Sequence, residues 1–96
     1  MERRTEEIKL LARVYGWREI RTDPVELMVS FSRKGVRLNV WWTRMTVGTA
    51  LMHPKIGTTQ LFRRNVSMET LEKIFENPRV HTGKGYYRKG YYGRGY

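Results

Sequence analysis

Between Val25 and Thr43 apolar and polar residues alternate, and the pattern is interrupted once, at Arg33-Lys34-Gly35. Val25, Leu27, Val29 and Phe31 fall on one side, with Glu26, Met28, Ser30 and Ser32 on the other. Val36, Leu38, Val40 and Trp42 then resume the apolar side, opposite Arg37, Asn39, Trp41 and Thr43. A period of two is the mark of strands lying on a core, and two such runs around a Gly-containing turn form an antiparallel hairpin. An isolated hairpin is marginal in water, so the chain must supply more strands and a covering layer.

Two amphipathic helices can supply that layer. Ile8, Leu11, Ala12 and Tyr15 fall at i, i+3, i+4 and i+7, which predicts a helix over Thr5 to Tyr15 with Thr5 as N-cap and Gly16 as its end. Ser67 is placed to cap a second helix running to Glu76. Val66 and Leu71 stand at staple spacing, Leu71, Ile74 and Phe75 form a stripe, and Asn77-Pro78 stops it. Thr46 to Met52 and Thr58 to Arg63 read as a second pair of strands, with an extended piece at Trp17 to Arg21 before the Asp23-Pro24 turn. The expected architecture is α+β: an antiparallel sheet of three to five strands with an N-terminal and a C-terminal helix on one face. A single domain is expected over residues 1–78, followed by a basic Gly/Tyr-rich tail over 79–96.

That tail has a repeat. Residues 83–96 read GKGYYRKGYYGRGY, so a basic residue, Gly and Tyr recur every five positions. With no aliphatic side chain to bury, this segment cannot fold by itself.

Charge is segregated along the chain. There are nineteen Lys and Arg against nine Asp and Glu, a formal net charge of +10. No carboxylate lies between Leu27 and Met68, a span of 42 residues holding Arg33, Lys34, Arg37, Arg44, Lys55, Arg63 and Arg64. After the last acid, Glu76, come Arg79, Lys84, Arg88, Lys89 and Arg94. A charge of this size opposes compaction, and a polyanionic partner is its usual reason.

Aromatic residues interleave with these bases. Trp41 shares a row with Arg37 and Asn39, where it either stacks a base or is covered by the tail or a loop, while Trp42 belongs to the core. The candidate nucleic-acid-binding set is therefore Arg33, Lys34, Arg37, Asn39, Trp41, Arg44, Lys55, Arg63 and Arg64 in the sheet and its loops. Lys84, Tyr86, Tyr87, Arg88, Lys89, Tyr91, Tyr92 and Arg94 extend it along the tail. The tail resembles the Arg-Gly and Tyr-Gly-rich tails of RNA-binding proteins, in composition and over the last fourteen residues.

Catalysis is not expected. Neither His53 nor His81 has a carboxylate nearby in sequence, two histidines without a cysteine make a poor zinc site, and no phosphate-binding glycine loop is present. No catalytic residue, metal or cofactor is assigned. The absence of Cys fits a reducing compartment, the N-terminal MERRTEEIKLLARVYG reads as neither a secretory nor a transit signal, and no run is apolar enough to span a membrane. An intracellular location, cytoplasm or nucleus, is expected.

The order helix, three or four antiparallel strands, helix on a basic chain is also the layout of double-stranded RNA-binding-like folds. Within it, Leu10 to Val40, LLARVYGWREIRTDPVELMVSFSRKGVRLNV, resembles the start of the small HicA-type toxin domain over about a third of the chain. That family carries a catalytic His on the strand after the Gly-aromatic turn. The corresponding stretch, Val25 to Val29, has none, so its activity is not implied.

The reading that results is an RNA-binding protein, in the manner of a ribosomal or other ribonucleoprotein component, with RNA favoured over DNA as partner and no membrane partner. The alternatives are a single-stranded or chromatin-associated DNA-binding protein and an interaction module for an acidic protein.

Overall fold

Lys34 and Gly35 both take positive φ, 49° and 80°, and Arg33 pairs directly with Val36. This is the two-residue turn whose twist matches a right-handed hairpin. In the computed structural model, which describes residues 3–53, 55, 57–83 and 85–89 (backbone alone at 52, 53, 58 and 87–89), the turn joins β2 (Met28–Arg33) to β3 (Val36–Trp41). The remaining elements are α1 (Arg3–Val14), β1 (Arg18–Asp23), β4 (Thr46–His53), β5 (Gly57–Arg63), α2 (Met68–Glu76) and β6 (Gly85–Lys89). All six strands are antiparallel neighbours in chain order, from β1 to β6.

The class is α+β as expected, but among the described residues the sheet has six strands rather than three to five. The extended piece before Asp23 is a full strand, β1, with a register shift between Glu19 and Arg21. The sixth strand is the first copy of the Lys/Arg-Gly-Tyr repeat, paired to β5. Its entry depends on Gly85, where a Cβ would stand 2.8 Å from Leu61 Cδ1 and 3.3 Å from Arg63 Cγ. The remainder of the repeat lies outside the described residues.

Both helices pack on one face. Ile8 and Ala12 of α1 and Leu71, Ile74 and Phe75 of α2 join Val29, Phe31, Leu38, Val40 and Val47 in one buried cluster. Trp17 and Phe31 flank Phe75, at centroid distances of 6.0 and 5.5 Å, and Trp17 Nε1 donates to the Phe75 carbonyl at 2.7 Å. Trp42 is in this core, as its parity predicts.

Helix ends follow local rules with one exception. Gly16 N donates to Arg13 O and Trp17 N to Ala12 O, the paired bonds of a Schellman end with Gly16 at φ 83°. Ser67 Oγ accepts from Thr70 N at 3.0 Å as the N-cap of α2. Thr5, however, does not cap α1. The helix begins earlier, and Thr5 is buried within it.

The alternation misleads at its start. Val25 is 86% exposed and Leu27 sits at φ 58°, because Asp23 Oδ1 accepts from the N–H groups of both Val25 and Glu26 and folds these residues into a turn. The strand starts at Met28, three residues after Val25. No helix of the described residues is long and apolar enough to cross a membrane.

Candidate nucleic-acid interface

The face of the sheet turned away from the helices is set by pairing register. Ser30, Asn39, Gly48, Phe62 and Tyr86 lie in one row across β2 to β6, and Arg37, Ala50 and Gln60 in the next across β3 to β5. From β2 to β6 this face holds no carboxylate, because the strands contain none.

Its large side chains form a continuous series of rings. Trp41 on β3 reaches across β4 to Phe62 on β5, with centroids 6.3 Å apart, and Phe62 stacks on Tyr86 of β6 at 5.7 Å and 24°. The Arg64 guanidinium closes the series, 5.5 Å from the Tyr86 ring, and donates from Nη2 to the Tyr86 hydroxyl at 3.2 Å. Gly48 permits the crossing: a Cβ there would lie 3.0 Å from Phe62 Cε1 and 3.2 Å from Gln60 Oε1. Trp41 is half-buried and Tyr86 40% exposed, so both ends of the series meet solvent. Arg37 stands on the same face, half-buried.

The expected site residues divide. Arg37, Trp41, Arg64 and Tyr86 share this face, and Arg44 and Lys55 are exposed in the flanking turns. Lys34 is exposed at the tip of the β2–β3 turn, at the other end of β3 from Trp41. Tyr87, Arg88 and Lys89 are in β6, where their backbones pair with Leu61, Gln60 and Thr59 of β5. Lys84, Tyr91, Tyr92 and Arg94 lie outside the described residues.

Three residues expected on the surface are built into the fold. Asn39 is buried, and its Oδ1 accepts from Ser30 Oγ at 2.6 Å. Arg63 is 1% exposed, its Nη2 donating to the carbonyls of Pro78 and Val80 at 3.1 and 2.8 Å. It pins the segment after α2 beneath the sheet. Arg33 donates to the carbonyls of Tyr15, Phe75 and Glu76 at 3.0, 2.7 and 3.1 Å, and its guanidinium lies 4.6 Å from the Trp17 ring. It satisfies carbonyls at the C-terminal ends of both helices, where a cation is favoured by the dipoles.

A shallow depression of about 450 Å³ opens beside Arg33, lined by Tyr15, Gly16, Arg18, Ser32 and Lys34. The Tyr15 hydroxyl donates to Glu72 at 2.7 Å, and this bond, some burial and the charges of Glu72 and Glu76 raise its pKa above the usual phenol value. Among the described residues no group of three or more His, Asp or Glu could hold a metal ion, and His81 is exposed.

Reading the sequence alone misses Phe62, Gln60 and Gly48. The alternation over Thr58–Arg63 leaves the inward face uncertain by one residue, and only the pairing of β5 between β4 and β6 resolves it. Comparison of the chain with known protein families, curated proteins and solved structures finds no match.

Proposed function

We propose that this protein binds RNA, single-stranded or with unpaired segments, across the sheet face opposite its helices. One observation carries the reading: the Trp41–Phe62–Tyr86 ring series, ended by Arg64, on a face where strands β2 to β6 have no carboxylate. Rings on a sheet offer stacking planes to splayed bases, and arginines beside them neutralise phosphate. Arg37, Arg44, Lys55 and Arg64 are the cations placed to follow a backbone over this face, with the basic repeat beyond Lys89 extending the contact. No step of chemistry is assigned, since the face presents rings, amides and guanidinium groups.

Single-stranded DNA shares the bases and the phosphates, so discrimination would rest on the 2′-hydroxyl. Titration of labelled single-stranded RNA, single-stranded DNA and duplex DNA at two salt concentrations tests the reading. RNA should bind most tightly, with log affinity falling against log salt by about 0.7 for each phosphate contact released. Tighter binding of single-stranded DNA moves the assignment to DNA. Negligible affinity for all three defeats it and leaves an acidic protein as the partner to seek.

A further inference from the structure

Gln60 is fully buried, and neither its Oε1 nor its Nε2 has a hydrogen-bond partner. An amide withdrawn from water without a partner is costly, and natural folds seldom tolerate one without a reason. The other amide of this face, Asn39, has its oxygen satisfied by Ser30. The unpartnered threonine hydroxyls, Thr5 and Thr49, lie inside α1 and on the opposite parity of β4. Among the described residues, Gln60 therefore stands alone as a whole donor–acceptor group without a partner on the ring-bearing side.

Its surroundings indicate what it awaits. Gln60 pairs with Ala50 on β4 and precedes Phe62 by two residues, and its Oε1 leans over Gly48. A methyl at Ala50 and a bare backbone at Gly48 leave β4 low between β3 and β5, and the Phe62 ring lies over Gly48 beside the Gln60 amide. We infer that Gln60 is the base-selecting residue of the RNA face: when the Phe62 ring gives way, an unpaired nucleobase with a donor beside an acceptor on its edge pairs with the amide. This rests on the RNA reading above and deepens it. A flat base fits the low strand, the neighbouring ring supplies a stacking plane, and two parallel bonds to an amide are the established way for Gln to read a base. Phosphate, having only acceptors, would leave Oε1 unsatisfied.

The test is Gln60→Met, which keeps the length of the side chain and removes both atoms of the amide that hydrogen-bond. Affinities of wild type and variant for oligo-A, oligo-C, oligo-G and oligo-U of equal length are measured at one salt concentration, alongside thermal melting of the free proteins. Wild type should prefer one base, and the variant should lose about tenfold in affinity for it and little for the others, with the salt slope unchanged. The variant should melt no lower than wild type, because an unpaired buried amide is replaced by an apolar group. Equal wild-type affinity for all four oligomers, or a preference that survives the substitution, overturns the inference while leaving RNA binding standing. A lowered melting temperature also overturns it, by showing that the amide is already paired in the free protein. Failure of wild type to bind any oligomer sinks the RNA reading, and this one with it.

Discussion

The Phe62 ring occupies the space above Gly48, with Cε1 3.0 Å from where a Cβ would stand and Cδ1 at 3.3 Å. Two residues on adjacent strands thus divide one volume, and the ring's place between Trp41 and Tyr86 depends on the missing side chain. Gly48→Val should displace the ring and overpack this row, costing about 1–3 kcal/mol. Gly48→Ala should cost less, since only a few tenths of an ångström are needed and the unfolded chain loses entropy. Denaturant titration of both variants checks the order; equal stabilities would show that the ring is not held there.

Arg33 should prove structural. Its guanidinium holds carbonyls of Tyr15, Phe75 and Glu76 together, and Lys, with a single nitrogen, cannot reach all three. Arg33→Lys is expected to lower stability by about 1–3 kcal/mol, the range for carbonyls left without donors. RNA affinity measured well below the melting temperature should change little. A variant with wild-type stability and weakened binding would reverse this assignment.

Gly85 is where the repeat joins the sheet. A methyl there meets Leu61 Cδ1 at 2.8 Å, and Leu61 is buried, so Gly85→Ala should loosen β6 from β5. Amide hydrogen exchange should quicken over Thr59–Arg63 while Val29 and Leu38 keep their protection. Exchange unaltered in β5 would show that Leu61 yields without cost. Truncations meant to probe the repeat as a tail should accordingly begin after Lys89.

Trp41→Ala removes the ring nearest β2 in the series while leaving the helix-side core intact. RNA affinity should fall by about 1–3 kcal/mol, the worth of one stacked base. Melting should drop by only a few degrees, since Trp41 is half-exposed. A collapse of stability without a change in affinity would return Trp41 to a purely structural role.

Acid should act through the β1–β2 turn. Asp23 has its pKa lowered, chiefly by the Glu26 N–H, with burial opposing and the Val25 N–H and Arg21 assisting. Glu19 is lowered too: burial opposes ionisation, but hydrogen bonds from Thr22 and Lys9 and the charges of Lys9 and Arg13 outweigh it. A carboxylate whose folded pKa is depressed contributes stability that is complete above its unfolded pKa, about 4, and is lost as pH falls through the folded value. Melting temperatures at pH 5 and pH 3 should differ less in Asp23→Asn than in wild type, because the amide oxygen still accepts from Val25 and Glu26 but no longer titrates. An identical acid drop would place the sensitivity elsewhere.

Local chemistry was legible because it is written in short spacings. The Lys34-Gly35 turn, the Gly16 helix end, the Ser67 cap with its Val66–Leu71 staple, and the apolar rows from Val29 to Val40 each involve residues within a few positions of one another. Short spacing misleads where a local competitor intervenes. Asp23 drew Val25 and Leu27 into its own turn, and an apolar pattern without a strand remained.

Surface or interior, for each arginine, was a tertiary matter. Arg63 and Arg64 are neighbours of identical chemistry, yet Arg63 holds the carbonyls of Pro78 and Val80 while Arg64 lies over Tyr86. Alternation separates them onto opposite sides, but which side holds carbonyls and which holds a ring depends on partners 15 to 22 residues away. Gly85 is similar: its residue type announces close approach, and only the pairing of β6 shows that the approach is to Leu61.

By itself, the order of residues determined the α+β class, the hairpin, the second helix and the separation of acids from bases, since each depends on periodicity or count. The folded chain alone decided that the sheet has six strands among the described residues, that Asn39 and Arg63 are internal while Arg33 is tied to the helix ends, and that Trp41, Phe62 and Tyr86 meet. Strand register brings together side chains far apart in sequence, and no local spacing encodes which of them will touch.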